Sequence, residues 1–283
     1  ELLLPETIAQ IGANAFSGCS SLRSITLPKT VVSVGDKAFA DCSALTKAEI
    51  LSEPTLGETL FTGCSSLREM VLPFTTQSLV TYFGTDEFDN SVAVQTVTRA
   101  LTYYLPSGLS KIVTVGERIV DDAFANCSKI SKITFDSALS EVGNNAFYNC
   151  AALSKASFNE IETLGDYAFY NCTGLEEINF NATAMGDVVT EKKIFDRAGI
   201  DGEGITVNIG KNVFHGCSSL ASFDFPPKLT TIEYQAFAST GLISVALPNT
   251  VTYIGDYAFQ SCTNLTSFHM PVGVTYFGCN NFQ

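Results

Sequence analysis

The sequence has no tryptophan, only two histidines and few charges, which make up 16% of its 283 residues. Cationic side chains are scarcest, 16 Lys and Arg against 29 Asp and Glu, for a net charge of −13. Binding to a nucleic-acid backbone needs the opposite balance, so nucleic acid is excluded as a partner. No C-x-x-C pair occurs, and two histidines cannot supply a zinc array. No apolar run approaches the roughly 18–20 residues that cross a bilayer, which argues against membrane insertion within this chain. A Gly-rich phosphate loop, a G-x-S-x-G elbow and a framed carboxylate pair are all missing. The sequence therefore offers no catalytic residue, no metal ligand set and no cofactor site.

Apolar residues are plentiful at 46%, with 21 Phe and nine Cys. The cysteines carry a period. Cys19, Cys42 and Cys64 are 23 and 22 residues apart, as are Cys127, Cys150 and Cys172; Cys172, Cys217 and Cys262 are each separated by 45, two periods. The frame reads Leu-x-x-Ile-x-Leu-Pro, a polar turn, then Val-x-x-Ile-Gly-x-x-Ala-Phe-x-x-Cys-x-x-Leu. Copies begin near Leu4, Leu27, Leu51, Phe135, Phe158, Phe225, Leu247 and Met270. One copy cannot bury its own apolar face, so copies must stack into a solenoid.

Each slot has a physical reason. Leu22, Ile25 and Leu27 alternate as an inward-facing strand does. Pro28 ends it, lacking an N–H for the ladder. Val32 and Val34 form a second apolar stretch, and Gly35 admits a backbone that a Cβ would disfavour. Asp36, with Asn14, Asn144, Asp166 and Asp256, precedes Ala-Phe and is expected to accept an N–H at the start of a helical turn. Ala38 and Phe39 are a small–large pair suited to one layer of a narrow core.

The frame "LPNTVTYIGDYAFQSCTNLTSF" resembles the BspA-type leucine-rich repeats of bacterial and some protozoan surface proteins. The resemblance implies an α/β fold: a right-handed leucine-rich-repeat solenoid with short parallel strands on the concave face and turns or short helical segments on the convex face. It also implies an extracellular or cell-surface setting and a role in adhesion or host-protein binding.

Two segments break the frame within what reads as one solenoid spanning 1–283. The first, at about 74–107, carries Phe74, Tyr82, Phe83, Phe88, Tyr103 and Tyr104. It reads as a modified pair of coils whose aromatics either pack on the solenoid flank or form an exposed ligand-gripping patch. The second, at about 182–204, contains Asp201-Gly202-Glu203-Gly204, which lacks the alternating acids of a calcium loop and reads as solvated. In "YQAFASTGL" the cysteine is missing, and Ser239 or Thr240 stands in its neighbourhood; Cys279 falls in the slot of Asp256, outside the column. The chain starts at Glu1 without Met and stops mid-repeat, so it is expected to be a piece of a longer chain.

Nine cysteines cannot all pair internally. Equivalent residues of stacked coils lie about 4.8 Å apart but point in parallel, which strains a disulfide torsion. Thiol catalysis needs a base, and His215 occupies the variable slot also held by Ser17, Ala40, Tyr148 and Gln260, a surface position by default. The expectation is a column of reduced, buried thiols acting as small apolar residues. The sequons at Asn126, Asn171, Asn181 and Asn264 read mainly as by-products of the repeat.

Function is expected where the frame is free to vary. Positions flanking the strand Ile face outward: Ser24, Thr26, Lys47, Glu49, Glu69, Lys132, Thr134, Lys155, Ser157, Glu177, Asn179, Ser222, Asp224, Ser244, Ser267 and His269. This hydroxyl-rich, mildly charged surface suits a broad, wet contact with a protein or glycan, host extracellular matrix among them, better than a small-molecule pocket. The alternative is a structural spacer or stalk in a larger surface protein; an enzyme built on the insertions is the weakest reading.

Overall fold

The computed structural model describes residues 2, 4–135, 139–158, 163–180, 207–225 and 229–283, with the side chains of 163, 179, 180 and 207 outside that set. The expected insertion at 182–204, the Asp201–Gly204 tetrapeptide and the Asn181 sequon lie outside the described residues.

Longer strands line one side of the stack. β2 (Ser24–Leu27), β4 (Lys47–Ile50), β6 (Glu69–Pro73), β9 (Lys111–Val115) and β11 (Lys132–Thr134) form a five-stranded parallel sheet. The same side continues as two pairs, β13 (Lys155–Phe158) with β15 (Glu177–Phe180) and β18 (Ser244–Ala246) with β20 (Ser267–His269). Alternate residues of β2 are exposed and buried, with Ile25 and Leu27 inward, as a half-buried strand requires.

A second run of short parallel strands turns each coil. β1 (Gln10–Ile11), β3 (Ser33–Val34) and β5 (Thr55–Leu56) make one ladder. β10 (Arg118–Ile119), β12 (Glu141–Val142) and β14 (Thr163–Leu164) make the next, and β16 (Val207–Ile209), β17 (Leu229–Ile232), β19 (Tyr253–Ile254) and β21 (Tyr276–Phe277) the last. Val34 is the inward residue here; Val32 points out and is 57% exposed, so the stretch is buried at Val31 and Val34 instead.

The Ala-Phe segment is a chain of turns and not a helix. Alternate N–H groups close turns within the coil, as Ser17 N to Asn14 O does at 3.1 Å, while those between reach the next coil, as Phe16 N reaches Ala38 O at 2.8 Å. Two residues per coil hold a left-handed backbone, Lys37 (φ 56°) and Asp41 (φ 57°) in one, Asn145 (φ 55°) and Asn149 (φ 57°) in another. The slot before Cys is accordingly filled by Gly, Asn, Asp or Ser, the residues that tolerate this region or fit turns. A left-handed residue every fourth position prevents helix propagation. Helical segments on the turn side are therefore a corrected expectation: the described residues hold one short helix, α1 (Leu79–Phe83), inside the first insertion.

The Asp/Asn slot also differs from the expectation. Asp36 Oδ1 accepts the N–H of Glu58, Asp121 Oδ1 that of Asn144, and Asn144 Oδ1 that of Asp166, all 2.8–2.9 Å away and one coil on. The side chain bridges coils and does not cap its own turn. Asn14 is out of this slot; it aligns with Lys37 and takes the left-handed conformation.

Three side-chain ladders run along the stack. Phe16, Phe39 and Phe61 stack at 5.4 and 5.7 Å, and Phe124, Phe147, Phe169, Phe214, Phe237 and Phe259 continue at 5.1–6.0 Å. The thiols of Cys42, Cys64, Cys150, Cys172, Cys217 and Cys262 each donate to the carbonyl of the preceding coil's Phe at 3.0–3.1 Å. Asn171 Nδ2 donates to Asn149 Oδ1, and Asn149 Nδ2 to Asn126 Oδ1, both at 2.8 Å, an amide ladder of the kind that stacks identical strands. Where the cysteine is missing, Thr240 takes its place: it is buried and its hydroxyl donates to Phe237 O at 2.8 Å. Ser239 fills the left-handed slot (φ 56°).

The first insertion is not a pair of coils. The long-strand sheet passes it without interruption, β6 pairing β9 from Glu69↔Lys111 to Pro73↔Val115. Between them the chain forms α1 and an antiparallel hairpin, β7 (Ser91–Gln95) with β8 (Thr102–Pro106). Thr59 and Phe61 donate backbone N–H bonds to Thr81 O and Tyr82 O; on the far side Leu79 N donates to Ala123 O, and Val120 N donates to Phe74 O. The helix thus stands in for a missing turn segment. Phe74, Tyr82 and Phe83 join the broken Phe stack: Phe61 to Tyr82 is 6.4 Å, Tyr82 to Phe74 5.7 Å and Phe74 to Phe124 4.5 Å. The hairpin lies over the next coil, Asn126 Nδ2 donating to Gln95 O at 2.6 Å.

Candidate functional site: the long-strand face

The register of the strands assembles two outward rows. Ser24, Lys47, Glu69, Lys111 and Lys132 form one, and Thr26, Glu49, Val71, Val113 and Thr134 the other. Lys155 opposite Glu177 and Ser157 opposite Asn179 extend them, followed by Ser244 opposite Ser267 and Ala246 opposite His269. Asn179 is placed by its backbone only, its side chain lying outside the described residues. Ser222 and Asp224 are exposed but sit outside any strand.

The first four long strands, β2, β4, β6 and β9, hold a chain of charges. Lys47 Nζ is 2.6 Å from Glu49 and 3.9 Å from Glu69, and Lys111 Nζ is 2.7 Å from Glu69. Thr26 donates its hydroxyl to Glu49 at 2.6 Å. Burial opposes ionisation of Glu49, but the Lys47 ammonium and the Thr26 hydroxyl outweigh it and hold its carboxyl below the usual carboxylate range. Hydrogen bonding to Glu49 lifts the Lys47 ammonium above its ordinary value. Lys155 likewise rises through its 2.6 Å pair with Glu177. Exposed pairs of this kind contribute about 0–1 kcal/mol each, so the row shapes a surface potential more than it holds the fold.

Lys111 and Val113 belong to these rows although the sequence reading left them out. Their signal was present: Leu109-x-x-Ile112-x-Thr114 matches the strand frame, with buried Thr114 in the last apolar slot. The aromatic patch is a correction. Phe74, Tyr82, Phe83 and Tyr103 are buried in the core, and only Tyr104 keeps partial exposure. The Tyr82 hydroxyl donates to Pro73 O and Tyr103 meets the Cys127 thiol at 3.4 Å, so even their polar ends are used inside.

His215 is not a free surface residue. It is half-buried, its ring 4.8 Å from Tyr170, which stacks on Tyr148 at 4.7 Å. Burial lowers its pKa. No disulfide joins any of the nine cysteines. Cys42 to Cys217 are buried, Cys262 is half-buried, and Cys19 and Cys279 are exposed. Cys279 occupies the slot of Asp256, whose Oδ1 accepts its N–H at 2.9 Å. Among the described residues no group of three His, Cys, Asp or Glu side chains could hold a metal ion, and no helix is long and apolar enough to cross a membrane.

Parallel strands in stacked coils, ladders of identical side chains and little helix define a solenoid of the leucine-rich-repeat type. The chain belongs to the BspA-type leucine rich repeat family, whose model matches in six copies over residues 1–104, 109–193 and 200–283. It is similar to a leucine-rich repeat protein from Bacteroides ovatus, 24% identical, covering 99% of this chain and 69% of that one with a TM-score of 0.51. A leucine rich cell surface protein from Faecalibacterium prausnitzii is 18% identical, over 97% of this chain and 68% of that one, TM-score 0.41. A leucine-rich repeat protein from Eubacterium ventriosum is 21% identical, over 95% and 82%, TM-score 0.39. A search of curated protein sequences gives no match.

Proposed function

We propose that the protein is a non-enzymatic binding module, displayed extracellularly or at the cell surface, which engages a protein or glycan partner through the outward rows of its long strands. The observation that carries this reading is the contrast between the two sides of one strand. Inward slots stay apolar (Ile25, Ala48, Met70, Ile112, Ile133), while outward ones change in chemistry from coil to coil and, Val71 apart, keep some exposure. A stack of coils offers such a face as one extended surface, concave where the coils curve, and extended polar surfaces suit macromolecular partners. Family membership supports the setting, as does the cell-surface description of the Faecalibacterium prausnitzii relative. Host extracellular-matrix proteins are the partner class to screen first, and the coils over 1–283 act as one unit.

A spacer or stalk is the second reading. It is favoured by one observation: Lys47, Glu49, Glu69 and Lys111 already satisfy one another.

Binding of the purified chain to matrix proteins and glycans on a sensor surface separates the two. Glu69→Arg leaves four cations in a row, at 47, 69, 111 and 132, and should weaken a bound partner at least about tenfold, whereas Arg99→Glu on the hairpin tip should not. Equal losses would move the site off the long strands. Silence across the panel would favour the spacer.

A further inference from the structure

The long-strand sheet has a seam. β11 ends the five-stranded ladder, and β13 begins a separate pair; no ladder joins them. Cα atoms of the two strands still come within 8 Å of each other. Inserting another strand would need about 9.6 Å, twice the strand spacing, so the seam rejects a peptide in β-pairing. What it forms is a shallow hollow of about 380 Å³ lined by residues of both strands. A hollow of this size suits a compact polar ligand.

Its lining is distinct from the rest of the face. Lys111 and Lys155 flank it and already pair with Glu69 and Glu177. Lys132, between them, has no ion pair among the described residues. The hydroxyls of Ser131, Thr134, Ser154 and Ser157 surround it, none with a side-chain hydrogen bond among the described residues. Phe135, partly exposed and stacked on Phe158 at 4.5 Å, contributes an apolar edge. A free ammonium, several hydroxyls and one ring edge match an anionic group carried on a polyhydroxylated ring.

From this geometry we propose that the seam between β11 and β13 is a subsite for an acidic sugar, its carboxylate or sulfate accepting hydrogen bonds from Lys132. The inference rests on the reading of the long strands as the binding face and names a chemistry within it. The net charge of −13 repels anions over most of the surface, so an acidic ligand requires a local exception, which the unpaired Lys132 supplies.

The test is titration of the isotope-labelled chain with D-glucuronate, glucose and inorganic sulfate, followed through amide shifts. Glucuronate should saturate shifts confined to 131–135 and 154–157, and glucose should not. Lys132→Ala should weaken binding about tenfold, the effect of losing one charged hydrogen bond. Lys129→Ala, on the same coil but off the hollow, should leave it unchanged. Glucose binding as well as glucuronate, equal losses in both variants, or shifts elsewhere on the chain would overturn the subsite, as would no response to any of the three probes. If the Glu69→Arg experiment meanwhile shows a macromolecular partner on the long strands, the seam alone has failed.

Discussion

Phe74→Ala should cost about 3–5 kcal/mol and split the unfolding transition in two. The magnitude is that of deleting a fully buried aromatic ring. The splitting follows from position. In a solenoid each coil touches only its neighbours, so stability is a sum of coil and interface contributions. Phe74 is where the Phe stack crosses the first insertion, touching Tyr82 at 5.7 Å on one side and Phe124 at 4.5 Å on the other. Its removal leaves the β6–β9 ladder as the main link between the coils before and after the insertion. Urea unfolding followed by far-ultraviolet circular dichroism and by tyrosine emission should give non-coincident curves. Phe74→Leu should recover most of the loss. A cost under about 1 kcal/mol with one sharp transition would show that α1 and its aromatics do not bridge the stack.

The second large effect is alkaline unfolding. Burial pushes the thiols of Cys127 and Cys172 up to about 12, and those of Cys150 and Cys217 well above their ordinary value. A thiol in the unfolded chain ionises near about 8.5. Above that pH the unfolded state sheds protons that the native state keeps, so stability is whole below the unfolded value and falls as pH rises. Each such thiol removes about 1.4 kcal/mol per pH unit, and four together about 5 to 6. Two units of that slope remove about 10–12 kcal/mol, most or all of the about 5–15 kcal/mol by which an ordinary domain is stable. The chain should unfold cooperatively near about pH 10–11 in the presence of reductant. Replacing Cys127 and Cys172 by Ala should about halve the slope of stability against pH, whatever it does to stability at neutrality. A slope of one thiol or less would contradict the buried column.

The period, the strand frame and the outward rows were legible because each rests on local chemistry that repeats. Leu22, Ile25 and Leu27 alternate in sequence as they do in the sheet. The inter-coil bonds were not legible. Asp36 and Asn144 look like caps because their type is a cap type, yet their acceptors serve the coil 22–23 residues on, a partner no local pattern names. The left-handed slots were half visible, as a preference for Gly and Asn before Cys, but Lys37 and Tyr167 hide the other slot behind ordinary residues. The insertion misled for another reason. Aromatics without a period give no face, and here the missing coil leaves a gap in the core that Phe74, Tyr82 and Phe83 fill. Lys111 was missed because the frame resumes on it directly after that irregular stretch, with Thr114 where Leu is usual.

The packing of the stack depends on the repeated cysteine being a buried, reduced thiol. Counting thiols with a chromogenic reagent, without reductant, tests this directly. In native protein near neutral pH, Cys19 and Cys279 should react at once, Cys262 slowly and the other six only as the chain opens. After denaturation all nine should titrate. A denatured, unreduced sample that yields one or three thiols would mean disulfides between coils, and the thiol-to-carbonyl ladder would be wrong.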